Sequence, residues 1–475
     1  MTRRELLMGF AAAAGSGCAP KAPSEGGGRP ELRWGVQSGE VTSGSGLVWC
    51  RSDRPARMIV ECVGRRSIGP TVSADTDFTG KVPIVGLGPR TRVPYRVAFE
   101  AEKLSDWVEG SFVTAPMEND TGDVVFAWSG DTNGQGWGID DARGGMPAYA
   151  TLLARRPEFF LHCGDQIYAD NPIPPSIGDW KNLVADGKDH VAETLDDFRG
   201  AFRYARASKE VRALSAAVPL FSVWDDHEVQ NDWWPGQTPR IDMHMAYARR
   251  AMFEHTPTLR DPSGAMYRSF RWGAHLEVFM LDGRSYRTSN TPIADPARFL
   301  GDAQLAWLAE SLARSTATWK VVACDMPIGL VVAQNGIVDA IANGEDGLPG
   351  ARELEFARLF STLKARGVKN VVWLTADVHY AAVHEYAPER AAFKDFDPFT
   401  EFVAGPMHAG SFPRKKLDDT FGIDVVWASD APGSPATGDQ FFGIVRIDGK
   451  TKTMTVTLVD SRNRDRNVSF VRPQS

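Results

Sequence analysis

Residues 159–168 read Phe159-Phe160-Leu161-His162-Cys163-Gly164-Asp165-Gln166-Ile167-Tyr168. A short apolar run that halts at a glycine and releases an acidic residue reads as a buried strand ending in a loop. Comparable runs occur three more times. Val124–Trp128 leads into Ser129-Gly130-Asp131, and Pro219–Trp224 into Asp225-Asp226-His227-Glu228 with Asn231 just beyond. Val371–Leu374 leads into Thr375-Ala376-Asp377-Val378-His379.

Between these runs the period changes to that of a helix. Pro147–Arg155 predicts a short helix, and in Asp302–Arg314 the residues Leu305, Leu308 and Leu312 share one face. Glu353–Arg366 predicts another, with Gly367 placed to cap it. Strands are expected at Lys320–Cys324 and Val368–Leu374. Helix-then-strand alternation predicts α/β layers. In an open α/β sheet the crevice at the C-terminal strand ends takes the ligand. Four strand ends would therefore bring Asp131, Asp165, Tyr168, one of Asp225 and Asp226, Asp377 and His379 to one place as candidate metal ligands.

That residue set suits one chemistry. A phosphate ester is anionic, and its hydrolysis builds charge on the attacking and leaving oxygens. Two cations about 3.5–4 Å apart can hold the phosphoryl oxygens and lower the pKa of a water. Asp165 is the natural bridge, because Gly164 lets the backbone approach closely. Oxygen-rich ligation without a thiolate favours ions such as Ca²⁺, Mn²⁺ or Fe³⁺. Each residue also has a plainer role open to it. Asp131 could cap the loop that follows it, Asp225 or Asp226 a turn, and Tyr168 could line a wall. His162 reads as a core or supporting histidine. His244 and His255 lie on the expected helix Met243–Glu254, where packing or solvent roles lead.

Upstream, residues 32–115 alternate apolar and polar in short runs, among them Met58–Val63 and Tyr95–Phe99. This predicts a small all-β sandwich of fibronectin or immunoglobulin type. At the other end, Gly443–Ile447, Asp448-Gly449 and Thr453–Val459 predict a hairpin. The first residues stand apart: Arg3 and Arg4 precede the apolar run Leu6–Ala14, which ends in Gly15-Ser16-Gly17-Cys18. A basic start, a short apolar stretch and small residues predict an export signal of twin-arginine type. Cys18 resembles a lipoprotein attachment site, with a tether over 19–30. The expected organisation is thus signal and tether over 1–30, a β-sandwich over 31–117 and a catalytic domain over 118–475.

The 475 residues, 43% hydrophobic and 24% charged, exclude a disordered chain and a multi-span membrane protein. A net charge of −7 argues against a general nucleic-acid binder. Beyond Cys18 there are Cys50, Cys62, Cys163 and Cys324, too few for a disulfide framework. Cys50 and Cys62 could pair between neighbouring strands or stay as buried thiols.

Taken together, Gly164-Asp165-Gln166-Ile167-Tyr168-Ala169-Asp170, Trp224-Asp225-Asp226-His227-Glu228-Val229 and Asp377-Val378-His379 resemble the PhoD-like alkaline phosphatases, within the calcineurin-like metallophosphoesterases. Leu281–Arg287, Gly301–Leu308 and Trp34–Val41 match as well, so the resemblance spans about residues 30–470. It implies an αββα metallophosphoesterase sandwich behind the small β domain, hydrolysing phosphomonoesters, phosphodiesters or both. It also implies Fe³⁺ held by Asp165, Tyr168 and His379, with Ca²⁺ held by Asp165, Asp226, Asn231 and Asp377. Where such enzymes carry a cysteine ligand on the first motif, this chain has Ser129-Gly130-Asp131, so Asp131 becomes a hard ligand and Mn²⁺ or another divalent ion comes into range. His227 would protonate the leaving group or stabilise the developing charge. Arg284 is a candidate to grip a phosphate oxygen, or else an arginine paired with Asp282. Trp137, Trp233 and Trp234 could wall the pocket or fill the core.

The resulting expectation is an exported, periplasmic or cell-surface phosphoric ester hydrolase that meets a membrane only through a lipid anchor and uses the twin-arginine machinery. Two alternatives stand beside it: a phospholipase-type diesterase acting on lipid head groups, and a non-catalytic surface-binding lipoprotein on the same scaffold.

Overall fold

In the computed structural model, residues 28–183, 187–258, 264–291, 293–429 and 432–474 are described. The expected leader and Cys18 lie outside them. Two large sheets form the body. The first orders its nine strands as Asp465–Val471, Met454–Asp460, Phe441–Ile447, Val124–Ser129, Phe160–Cys163, Leu220–Val223, Val36–Gly39, Ser45–Arg51 and Thr79–Val85. The second runs Arg268–Trp272, Leu276–Met280, Trp319–Ala323, Val371–Thr375, Phe399–Val403, Ala382–Tyr386 and Ile423–Ala428.

Side-chain alternation decides how they stack. Phe126, Trp128, Leu161 and Cys163 point from the first sheet into a core shared with Val278, Met280, Val321 and Leu374 of the second. Their neighbours Ala127 and Phe160 point the other way, against α1 (Pro147–Ala154) and α3 (Lys209–Ala217). Between these in sequence lies α2 (Leu195–Ala205), which packs on α4 (Pro239–His255). On the far side, Phe279, Val322 and Trp373 meet Leu305, Leu308 and Leu312 of α5 (Gly301–Arg314) and Phe356 and Phe360 of α6 (Glu353–Ala365). The layers are therefore α, β, β, α: the alternation of elements predicted α/β layers, and the family resemblance implied this order. Among the described residues no helix is long and apolar enough to cross a membrane.

The N-terminal β-sandwich is present too. Its outer sheet is Arg65–Val72, Ala56–Cys62, Arg92–Glu100 and Val108–Val113. Its inner sheet is not separate: Val36–Gly39 pairs in parallel with Leu220–Val223 at Gly39↔Leu220, so the sandwich extends the catalytic sheet. Gly39 is small by necessity there, since a Cβ would stand 2.5 Å from the Leu220 carbonyl oxygen. Cys50, Cys62, Cys163 and Cys324 are buried free thiols, so Cys50 and Cys62 stay unpaired.

A candidate metal centre at the strand ends

Four strands deliver the acid groups. Val124–Ser129, Phe160–Cys163 and Leu220–Val223 run parallel in the first sheet and end in the loops of Asp131, Asp165 and Asp225–His227. Val371–Thr375 of the second sheet ends at Asp377 and His379. The loops turn sharply. Asp131, Asp165, Asp377 and His379 take φ values of 64°, 53°, 63° and 58°. Left-handed backbone at non-glycine residues costs of order 1–3 kcal/mol and gathers at functional sites. Glycine makes the remaining room: a Cβ on Gly164 (φ 108°) would lie 2.4 Å from the Asp225 Cβ, and one on Gly405 2.2 Å from Asp131 Oδ2.

Ligand atoms of Asp131, Asp165 and His379 lie within 4.8 Å of one another, and so do those of Asp165, Asp226 and His227. Asp165 belongs to both groups. A third group joins Asp225, Asp226 and Asp377. Tyr168 completes the first, its hydroxyl 2.7 Å from His379 Nε2. His379 Nδ1 donates to the Gly410 carbonyl at 2.6 Å, and since a carbonyl only accepts, Nε2 keeps its lone pair toward the cluster. Burial brings the His379 imidazole down to about 3, which keeps it neutral.

Charge balance argues for cations. Both carboxylate oxygens of Asp131 are buried without a hydrogen-bond partner among the described residues, at 0% exposure. An unpaired buried carboxylate is costly unless a cation meets it. Burial, with Asp226 adding repulsion, pushes the Asp131, Asp165, Asp225 and Asp377 carboxyls well above the usual range. The donors are oxygens and imidazole with no thiolate, so they fit hard or borderline ions.

His227 stands at the edge of this floor. Its Nδ1 lies 2.7 Å from Asp170 Oδ1, and its ring stacks on Tyr168 at 4.1 Å. Burial opposes its charge, yet Asp170, Asp226 and Asp165 outweigh that and hold the imidazolium well above its usual range. Asn231 lines the same cavity, and its backbone N–H donates to Asp170 Oδ2 at 2.8 Å.

Arg284 is placed otherwise than expected. It is fully buried behind the carboxylates, with Nη2 2.6 Å from Asp225 and 2.8 Å from Asp339, and lies 3.8 Å from Asp226. Nor is its guanidinium the partner of Asp282, which accepts from Trp224 Nε1 and from the Arg284 backbone. Fully buried and outside the lining of the cavity, this guanidinium is not placed to reach substrate. Trp233 is likewise core, at 0% exposure, whereas Trp137 packs edge-on against Trp180. His162 supports from behind through Thr132 Oγ1 at 3.2 Å. His255 bonds Asp77 and His244 faces Glu193, away from the centre.

Two residues carry unforeseen weight. Glu228, at 0% exposure, accepts backbone N–H groups from Asp165, Gln166 and Asp225 at 3.1, 2.6 and 2.8 Å, lashing two ligand loops together. Asp170 orients His227. Both sit inside the quoted motifs, and their spacing from Asp165 and Asp226 was the available signal. Above the floor opens a cavity of about 600 Å³, walled by Gln135, Asn171, the segment 332–337, Phe412 and Lys415.

Comparison with known proteins agrees with this picture. Residues 126–458 match the family model described as PhoD-like phosphatase, and residues 17–116 match the PhoD-like phosphatase N-terminal domain. The chain is 28% identical over 305 residues to alkaline phosphatase D of Bacillus subtilis (strain 168), covering 58% of this chain and 50% of that relative. It thus spans about half the length of the curated relative it matches. A structure described as that of PhoD superposes with a TM-score of 0.74 at 20% identity, covering 95% of this chain and 90% of that one. A purple acid phosphatase from yellow lupin (Lupinus luteus) seeds gives 0.58 at 12% identity, covering 92% and 74%.

Proposed function

We propose that this chain, which belongs to the PhoD-like phosphatase family, is a metal-dependent phosphoric ester hydrolase acting on phosphomonoesters, phosphodiesters or both. The observation that carries the reading is Asp131: two buried carboxylate oxygens without a donor, beside an Asp165 shared between two ligand groups. One cation would be held by Asp131, Asp165, Tyr168 and His379, and the next by Asp165, Asp226, Asn231 and Asp377. Cations bound there supply positive charge for the phosphoryl oxygens and acidify an attacking water. Replacement of a thiolate by Asp131 favours Ca²⁺, Mn²⁺ or Fe³⁺ bound through oxygen.

The chain's own groups do the rest. The water oxygen forms a bond to phosphorus, the bond from phosphorus to the ester oxygen breaks, and the departing alcohol needs a proton. His227 is set to give it, because Asp170 holds Nδ1 and leaves Nε2 as the proton-bearing atom at the cavity. Arg284 keeps the crowded carboxylates apart in fixed positions rather than touching the ester. The twin-arginine-like start and Cys18 support export and lipid anchoring, which a membrane fraction of the expressing cell that loses the protein on Cys18→Ser would test.

The direct test is hydrolysis of a chromogenic phosphomonoester and the matching diester by purified, metal-replete protein. Chelator-sensitive turnover of either ester supports the reading, and turnover indifferent to chelator overturns it.

A further inference from the structure

The cavity above the metal centre is far larger than a phosphoryl group. At about 600 Å³ it lies in the range that encloses a whole organic ligand. Its floor is acidic, with Asp165, Asp226, Asp232 and Asp377 exposed to it. Among the described residues that line it, Lys415 is the one Lys or Arg.

Lys415 is not spent on that floor. Its ammonium makes no ion pair within 4.0 Å among the described residues, and lies 5.4 Å from the centre of the Phe412 ring. Phe412 in turn lies flat on the His379 imidazole, centroids 4.7 Å apart and planes 13° from parallel, and its backbone N–H donates to the His379 carbonyl at 3.0 Å. The Lys415 N–H reaches the Tyr380 hydroxyl at 3.4 Å. The arm is thus tied at three points to the loop that carries a metal ligand, and it holds one positive charge at the wall. Across the cavity stands a hairpin, Ala333–Gln334 against Ile337–Val338, turned by Asn335 and Gly336 with φ of 53° and 81°. It offers Ala333, Ile337 and amides, and no charge.

From this asymmetry we infer that Lys415 is a specificity residue for the part of the ester beyond the scissile phosphate, and that the preferred substrate is a phosphodiester whose second alcohol carries a negative charge. The inference rests on the hydrolase reading above and deepens it. Metal-balanced carboxylates deal with the phosphoryl group. Lys415, half-buried in the cavity wall, stands beside whatever is attached to it, and a charge at a cavity wall discriminates by sign.

The test uses the full, metal-replete chain and three 4-nitrophenyl phosphodiesters with the same leaving group. Their second alcohols are 3-hydroxypropionate, its uncharged amide, and choline. The parent should favour the carboxylate over the amide, and the amide over choline, through KM, by about tenfold between neighbouring members. Lys415→Gln should level the three KM values and leave kcat alone, while Lys415→Arg keeps the order. An unchanged order in Lys415→Gln, or an equal fall of kcat on all three esters, overturns the assignment. Parent turnover with no charge preference overturns it while the hydrolase reading stands. No chelator-sensitive turnover of any of the three esters, or of a chromogenic monoester, overturns both.

Discussion

Removing the charge of Asp131 separates a metal ligand from a loop cap. The Asp131→Asn side chain is nearly the same size, fits the space beside Gly405 and keeps an oxygen able to accept a hydrogen bond. What it loses is the anion. In metal-free protein the parent carries two buried oxygens without donors, and an unsatisfied buried group costs about 1–3 kcal/mol, more when charged. Unfolding a chain of this size makes 1 kcal/mol worth roughly 1–2 °C of Tm. Chelated Asp131→Asn should therefore melt about 2–5 °C above chelated parent at pH 8. Cation at a hundredfold its Kd adds about 2.7 kcal/mol, so loading should raise the parent by about 3–5 °C and the variant by clearly less. Differential scanning fluorimetry with and without chelator reads both. An equal metal-induced shift in the two proteins, or a chelated variant less stable than chelated parent, would refute the reasoning.

Further outcomes are expected at three residues. Glu228→Ala removes the acceptor of three backbone N–H groups and should cost about 3–5 kcal/mol, read as a lower Tm together with lost metal. In chelated parent, burial pushes Glu228 up to about 7 from an ordinary 4.5, so its contribution is fully present below pH 4.5 and lost as pH rises through 7; Tm should fall over that window, and less so in Glu228→Gln. Gly164→Ala drives a Cβ to 2.4 Å from Asp225 at a φ of 108°, and thermal unfolding should report about 2–4 kcal/mol of destabilisation. His227→Asn should lower kcat by about 10²–10⁴ on an alkyl ester and much less on a nitrophenyl ester, whose leaving group needs no proton; equal losses on both would remove His227 from the proton-donor role.

Much of the site was legible because the signal is local. An apolar run that ends on Asp165 or Asp377 marks both a strand and what its end presents, and parallel pairing brings such ends together. That helices and strands form α/β layers followed from the alternation of periods, whereas the αββα order came from the family resemblance. Arg284 was not legible as a buried residue. Its partners Asp225 and Asp339 lie 59 and 55 positions away, and a guanidinium beside a phosphatase motif looks the same in sequence whether it faces phosphate or carboxylate. The joining of the sandwich to the catalytic sheet at Gly39↔Leu220 was hidden for a related reason: alternation tells which face of a strand is buried and nothing of its neighbour. Lys415 belongs to no motif, and only the fold brings the loop that carries it over His379.

If Asp165 is the shared ligand of a multi-cation centre that hydrolyses phosphate esters, its loss removes metal and turnover together. Metal analysis of the purified full chain beside Asp165→Asn, with turnover of a chromogenic ester on the same samples, tests it most directly. The expected result is two or more cations per parent chain, a deficit of cations in a variant that still folds, and no turnover by that variant. A folded Asp165→Asn protein that keeps the parent's metal and rate would contradict it.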